Sequence, residues 1–214
     1  MSILNVLLSP DRLLVAVDTL IEDSATGMHS TGANVLLIPQ HNAVLATRGP
    51  ADFFLDVYDL CLQASFRTNF SISRLASEVG PMMDNLWPNH AKAAEKAGHQ
   101  QGQVRTKIVL GGWSRTERRM VATAYAKHAS TTPTLVHPLI EFLSSPKDPL
   151  RGKAHSFDPP AVLGASVLQA RYLNSKHGRQ VAGGSILVAQ LRERESRINE
   201  WDLVQPDLMR ETLK

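Results

Sequence analysis

Ser2 stands almost at the start of the chain, where a hydroxyl can lie beside a free N-terminus and act in catalysis. Ile3 to Leu8 reads as a strand, Ser9-Pro10-Asp11 as a turn and Leu13 to Val17 as the returning strand, which ends in Asp18. A carboxylate is thereby brought back beside the N-terminal residue. Ser2 and Asp18 are the candidate catalytic pair. The plainer reading takes Ser2 as a strand-initiating residue and Asp18 as a hydrogen-bonded strand end.

The remaining reactive residues show no comparable arrangement. The chain has 8 histidines, but His90 and His99 are 9 apart, as are His128 and His137, and no carboxylate or cysteine joins them at ligand spacing. No metal or other cofactor is expected. Gly111-Gly112 and Gly183-Gly184 are not followed by the Lys-Ser or Lys-Thr helix start of a phosphate loop. Cys61, the single cysteine, lies within an apolar stripe and excludes an internal disulfide, which fits a reducing compartment. The charge balance is 23 Lys plus Arg against 20 acids. Arg115, Arg118 and Arg119 alternate with Glu117, and Arg192 to Arg197 with Glu193 and Glu195, so both read as solvated loops and give no specific nucleic-acid signal. No apolar run is long enough to cross a bilayer and no secretion signal is visible, so no membrane partner is expected and the expected location is cytoplasmic, alone or within a particle assembled there.

The elements that must hold the pair follow from hydrophobic period. A second hairpin, Asn34 to Ile38 and Ala43 to Thr47, encloses Pro39-Gln40-His41-Asn42. Phe53, Phe54, Val57, Tyr58, Leu60 and Cys61 predict a helix from about Ala51 to Phe66. Ser71 is placed to cap a second helix through Leu75, Val79, Met82 and Leu86, with a kink at Gly80-Pro81, since proline removes a helix hydrogen bond. Asn89 to Gln103 reads as a helix end and exposed loop. A third hairpin joins Lys107 to Trp113 with Met120 to Ala126. The stretch 129–160, punctuated by Pro133, Pro138, Pro146, Pro149, Pro159 and Pro160, reads as a long loop or insertion. A third helix is expected from Gly164 to about Gly178, and a last hairpin from Ser185 to Leu191 and Ile198 to Leu203. A length of 214 residues with no compositional break predicts one domain over 1–214. The fold class expected is α+β, a four-layer αββα sandwich of two antiparallel sheets between helical layers, because this order buries both faces of each sheet.

Leu14-Val15-Ala16-Val17-Asp18, Asn34 to Ile38, Arg48-Gly49-Pro50-Ala51-Asp52, Ile108 to Trp113, Val162-Leu163-Gly164-Ala165-Ser166 and Ala182-Gly183-Gly184-Ser185 stand in an order that resembles the proteasome β-subunit group of N-terminal nucleophile hydrolases, including the bacterial two-component heat-shock peptidase. The resemblance covers nearly the whole chain. It implies that Ser2 occupies the nucleophile position, where a threonine or serine hydroxyl attacks a peptide carbonyl while its own α-amine relays the proton. It places Asp18 at the aspartate that ends the second strand.

The other implied positions depart from the family pattern. The strand lysine falls on Asn34, which carries no charge to depress a hydroxyl pKa. The glycine whose N–H builds the oxyanion hole falls on Arg48, whose guanidinium can stabilise charge but cannot act as a base. A serine falls on Ala165, and an aspartate and a serine fall on Arg179 and Ala182. The resemblance therefore implies a retained scaffold with altered chemistry: a noncatalytic, structural subunit joined to homo- or hetero-oligomeric partners, cellular or viral, with an N-terminal serine peptidase or amidohydrolase using Ser2 as the alternative.

Overall fold

In a computed structural model, residues 2–22, 26–98 and 104–203 are described. The near-continuous apolar run of the second strand, Leu13 to Val17, is explained by burial on both faces. β1 (Leu4–Leu8) and β2 (Arg12–Asp18) pair antiparallel, with Leu4 opposite Val17 and Leu8 opposite Leu13. The turn between them closes through Ser9 N–H to Arg12 O at 2.9 Å, with Pro10 where no N–H is needed. Leu13, Val15 and Val17 face the second sheet, while Leu14 and Ala16 face a helix.

Two very short strands, β3 (Leu20–Glu22) and β4 (His29–Thr31), pair with each other. They fall in a stretch without sequence periodicity. β5 (Val35–Ile38) and β6 (Ala43–Arg48) form the second hairpin, and β6 alternates as β2 does: Val44 and Ala46 toward the first sheet, Ala43 and Leu45 toward helices. β7 (Thr106–Ser114) and β8 (Arg119–Lys127) extend this sheet.

The helices close the outer faces. α1 (Ala51–Ser65) turns Phe53, Phe54, Val57 and Cys61 inward. α2 (Ile72–Lys96) begins where Ser71 Oγ accepts from Arg74 N–H at 3.1 Å and buries Leu75, Val79, Met83 and Trp87, a line at every fourth residue. It continues through Pro81 and Pro88 to Lys96, well beyond the end expected near Leu86. Both prolines lie two turns apart on the exposed side, where freed carbonyls meet water, and the Ala- and Lys-rich sequence after them favours helix. Of the expected loop to Gln103, residues 99–103 lie outside the described residues. α3 (Pro159–His177) starts earlier than expected, because Pro159 and Pro160 occupy its first turn, where missing N–H groups are harmless; it stops at Gly178, whose φ is 63°.

The proline-rich stretch is not devoid of regular structure. β9 (Leu135–Pro138) joins β8 at the edge of one sheet and β10 (Phe142–Ser145) joins β1 at the edge of the other. Proline is tolerated there because an edge strand has one unpaired side. β11 (Ser185–Arg192) and β12 (Glu195–Asp202) complete the first sheet, ordered β10-β1-β2-β11-β12; the second is β5-β6-β7-β8-β9. α1 and α2 cover the second sheet, α3 covers the first, and a third apolar cluster lies between the sheets. The result is the expected four-layer αββα sandwich. No helix among the described residues is long and apolar enough to cross a membrane.

Candidate active site

Asp18 ends β2 and is wholly buried. Its Oδ1 accepts from Ile3 N–H at 2.7 Å and its Oδ2 from Gly183 N–H at 3.1 Å. The carboxylate thus ties together the start of β1, the end of β2 and the turn before β11. Burial pushes its pKa up to about 7, against the two N–H bonds that favour its charged form. Desolvation wins, so Asp18 changes charge near neutral pH.

Ser2 is 7% exposed and directly precedes the Ile3 N–H that binds Asp18. Chain register thus brings the two sequence candidates to one end of adjacent strands. Met1, on whose removal the α-amine relay depends, lies outside the described residues. Asn34 is buried, and its Nδ2 donates to the backbone carbonyl of Asp18 at 2.9 Å rather than to the carboxylate. Arg48, half-buried at the end of β6, donates from Nη1 to Ser145 Oγ. Burial lowers its pKa and the charge of Asp18 opposes that shift.

The other implied positions serve different ends. Arg179 forms an ion pair with Glu22 of β3. Ala182 is held by its backbone, its N–H donating to Asn174 Oδ1 at 3.0 Å and its carbonyl accepting from Asn174 Nδ2 at 2.9 Å. Ala165 lines a cleft of about 220 Å³ with Leu150, Lys153 and His155, none of which belongs to the Asp18 network. The neighbouring hydroxyl, Ser166 Oγ, bonds back to Val162 O within α3.

The Gly183-Gly184 turn is built for close approach. Gly183 and Gly184 have φ of 150° and 74°, and a Cβ on Gly184 would lie 2.6 Å from Thr19 Oγ1. That hydroxyl accepts from Ser185 N–H at 2.9 Å. Three polar residues of this scaffold escaped the sequence reading. Asn174 clamps the turn to α3, while Asn5 and Gln169 exchange buried amide bonds of 2.6 and 3.0 Å between β1 and α3. The available signal was a polar side chain interrupting each apolar face.

An αββα sandwich with a serine and a buried aspartate at one sheet end is the arrangement defined by fold and strand register. Among solved structures, Anbu (ancestral β-subunit) from Yersinia bercovieri is similar with a TM-score of 0.66 and 13% identity, over 98% of this chain and 91% of that one. The helical assembly of the Anbu complex from Pseudomonas aeruginosa gives a TM-score of 0.68 and 12% identity, over 98% and 90%. No protein-family model and no curated protein matches the chain.

These findings correct the assignment drawn from the short motifs. The similar structures are ancestral β-subunits, identity is only 12–13%, and no family model supports a proteasome β-subunit-like hydrolase with an altered site. Short strands with small-residue turns recur wherever an αββα sandwich is built, so the motifs reported architecture. The fold is shared with these structures.

Proposed function

We propose that the chain acts as a noncatalytic structural subunit of an oligomeric assembly, folding as one domain. The observation that carries this reading is Asn34: a buried, neutral amide bonded to the Asp18 backbone brings no charge to the end of the sheet where Ser2 and Asp18 lie. Removing partners that act with a nucleophile as one unit costs on the order of a thousandfold or more in rate. The similar Pseudomonas aeruginosa structure is described as a helical assembly, which supports association as the use of this scaffold. Light scattering over a range of concentrations tests it; a strict monomer, alone and after incubation with lysate, counts against it.

A second reading is favoured by one specific observation, the junction of Ser2 with the Asp18 network. In it, Ser2 freed of Met1 attacks an amide carbonyl as its α-amine takes the hydroxyl proton, the C–N bond breaks as that proton passes to the departing amine, and water then hydrolyses the acyl ester to restore Ser2. Intact mass first establishes whether Met1 is absent. The chain lacking Met1 is then treated with an epoxyketone and the N-terminal peptide weighed. No adduct is expected; a stoichiometric adduct lost in Ser2→Ala establishes the enzyme.

A further inference from the structure

Four of the eight large apolar side chains that stand exposed among the described residues fall within eight consecutive positions: Leu135, Val136, Ile140 and Phe142. Ile140 is 88% exposed, and Phe142 stays 39% exposed even with the His155 ring centred 3.8 Å from its own. The segment runs from β9, at the edge of one sheet, to β10, at the edge of the other, and so forms a ribbon across one side of the sandwich. It is fixed to both sheets: Leu139 N–H donates to Ala122 O at 2.8 Å, and Glu141 O accepts from Leu8 N–H at 2.7 Å. A preset surface of this kind costs little ordering on association.

The sheet edges here lack the charged side chains that commonly guard an edge strand against pairing. From 128 to 146 the sole Asp, Glu, Lys or Arg is Glu141. The four apolar side chains leave on the order of 400 Å² of surface, a patch large enough to mark an interaction site. That is about half of what one partner contributes to an interface of standard size.

The pattern of the ribbon indicates what covers it. Leu135-Val136-His137-Pro138-Leu139-Ile140-Glu141-Phe142-Leu143 has the same order of apolar and ionisable side chains from either end. A two-fold contact sets a surface against itself. With the axis at Leu139 and the ribbons antiparallel, His137 faces the partner's Glu141, Val136 the partner's Phe142 and Ile140 the partner's Pro138. An imidazole N–H donates to a carboxylate, so the one acid of the ribbon finds its acceptor role filled on each side of the axis. A shift of register by one residue sets Glu141 against Val136 or Pro138 and buries it unpaired, which is costly.

We propose that the ribbon 135–143 is a self-association surface whose partner is a second copy of this chain, related by a two-fold axis at Leu139. The proposal rests on the assembly reading and names the face and the partner that assembly uses.

Sedimentation velocity of the full chain over a range of concentrations should show a dimer or a larger oligomer built on it. Ile140→Lys and His137→Glu, both at exposed positions, should each weaken association at least tenfold. The double variant His137→Glu/Glu141→His exchanges the two roles across the axis and should recover association, which a contact that is merely apolar would not do. Leu55→Lys, on the exposed side of α1, should change nothing. Association unmoved by Ile140→Lys, or lost in Leu55→Lys instead, overturns this interface and leaves the assembly reading in place. A double variant as weak as His137→Glu overturns the two-fold register. A strict monomer overturns the proposal, and the assembly reading falls with it when lysate also yields no partner. In the unsubstituted chain, amide hydrogen exchange across 139–143 should slow as concentration rises; equal rates in dilute and concentrated protein overturn the proposal whether or not the variants fold.

Discussion

Asn34 and Asp18 are joined through the backbone of the second residue: Asn34 Nδ2 donates to the Asp18 carbonyl at 2.9 Å, leaving the carboxylate to Ile3 and Gly183. An amide suits this position because it donates without placing a second ionisable group in a dry pocket. Asn34 brings no charge to Asp18, and burial decides the carboxylate's charge.

Asn34→Lys tests that account. An ammonium within a few ångströms of Asp18 favours its charged form, so the Asp18 titration should fall from about 7 by one pH unit or more. Side-chain ¹³C resonances of labelled aspartate measure it, and an unchanged midpoint shows that charge at residue 34 does not reach the carboxylate.

The raised pKa of Asp18 also makes a signed prediction for stability. Its folded value, about 7, lies above the 3.8 of an ordinary aspartate, so the folded state holds this proton more tightly. The associated stability is fully present below about pH 3.8 and is lost progressively as pH rises to about 7. Each tenfold difference in proton affinity between the folded and unfolded chain is worth about 1.4 kcal/mol. Urea unfolding at pH 4.5 and 7.5 should show the unsubstituted chain losing about 2–3 kcal/mol relative to Asp18→Asn. Parallel pH profiles for the two chains would mean that Asp18 is ionised throughout.

Much of the architecture was legible because it follows from local chemistry. Leu13 to Val17 and Ala43 to Thr47 are apolar on both faces, as strands between two layers must be, and Ser71 and Gly178 mark helix ends through their own capping geometry. The edge strands β9 and β10 were illegible for a physical reason: each has only four residues and owes its form to pairing with distant β8 and β1. α2 outran its expected end because the cost of a proline depends on which side of the helix it faces. At the candidate site, the closeness of Ser2 and Asp18 could be read from the first hairpin, whereas the Arg48–Lys107 pairing exists only once strand register is known.

Gly184→Ala should destabilise the chain by about 1–3 kcal/mol, since it combines a φ of 74° with a Cβ 2.6 Å from Thr19 Oγ1. Gly178→Ala, also at positive φ but with nothing within 4 Å of its Cβ, carries the backbone cost alone and should lose less. Urea midpoints of the two variants check the order. Equal losses would show that the Thr19 contact relaxes without strain.

Cys61 is fully buried among α1 and α2 side chains, and its thiol pKa is pushed up to about 12 by burial, with a smaller contribution from Glu78. A thiol that is neither exposed nor ionised is unreactive. Native protein should therefore fail to react with a disulfide reagent at about pH 8 over hours, and react fully on addition of urea. Rapid reaction without denaturant would place Cys61 in a segment that opens independently of the core.

Lys127 and Asp84 give the clearest stability prediction, because they fasten the start of the proline-rich stretch to the helical layer. The Lys127 side chain is 2% exposed and its Nζ lies 2.5 Å from Asp84 Oδ1, which also accepts from Thr134 N–H at 2.9 Å and Thr134 Oγ1 at 2.7 Å. Burial pushes the Asp84 pKa up, but the Lys127 and Thr134 bonds outweigh it and leave the value below the ordinary range. A depressed folded pKa stabilises above the unfolded value, so this contribution is lost as pH falls through the acid range, opposite in sign to that of Asp18. Asp84→Ala strands the buried ammonium and should cost about 3–5 kcal/mol, whereas Lys127→Met leaves a partly exposed carboxylate able to hydrate and should cost less. The double variant Asp84→Ala/Lys127→Met should recover part of the Asp84→Ala loss. Urea unfolding at about pH 7 of the two single variants and the double variant measures the coupling, and strictly additive losses would show that the two groups stabilise the fold independently.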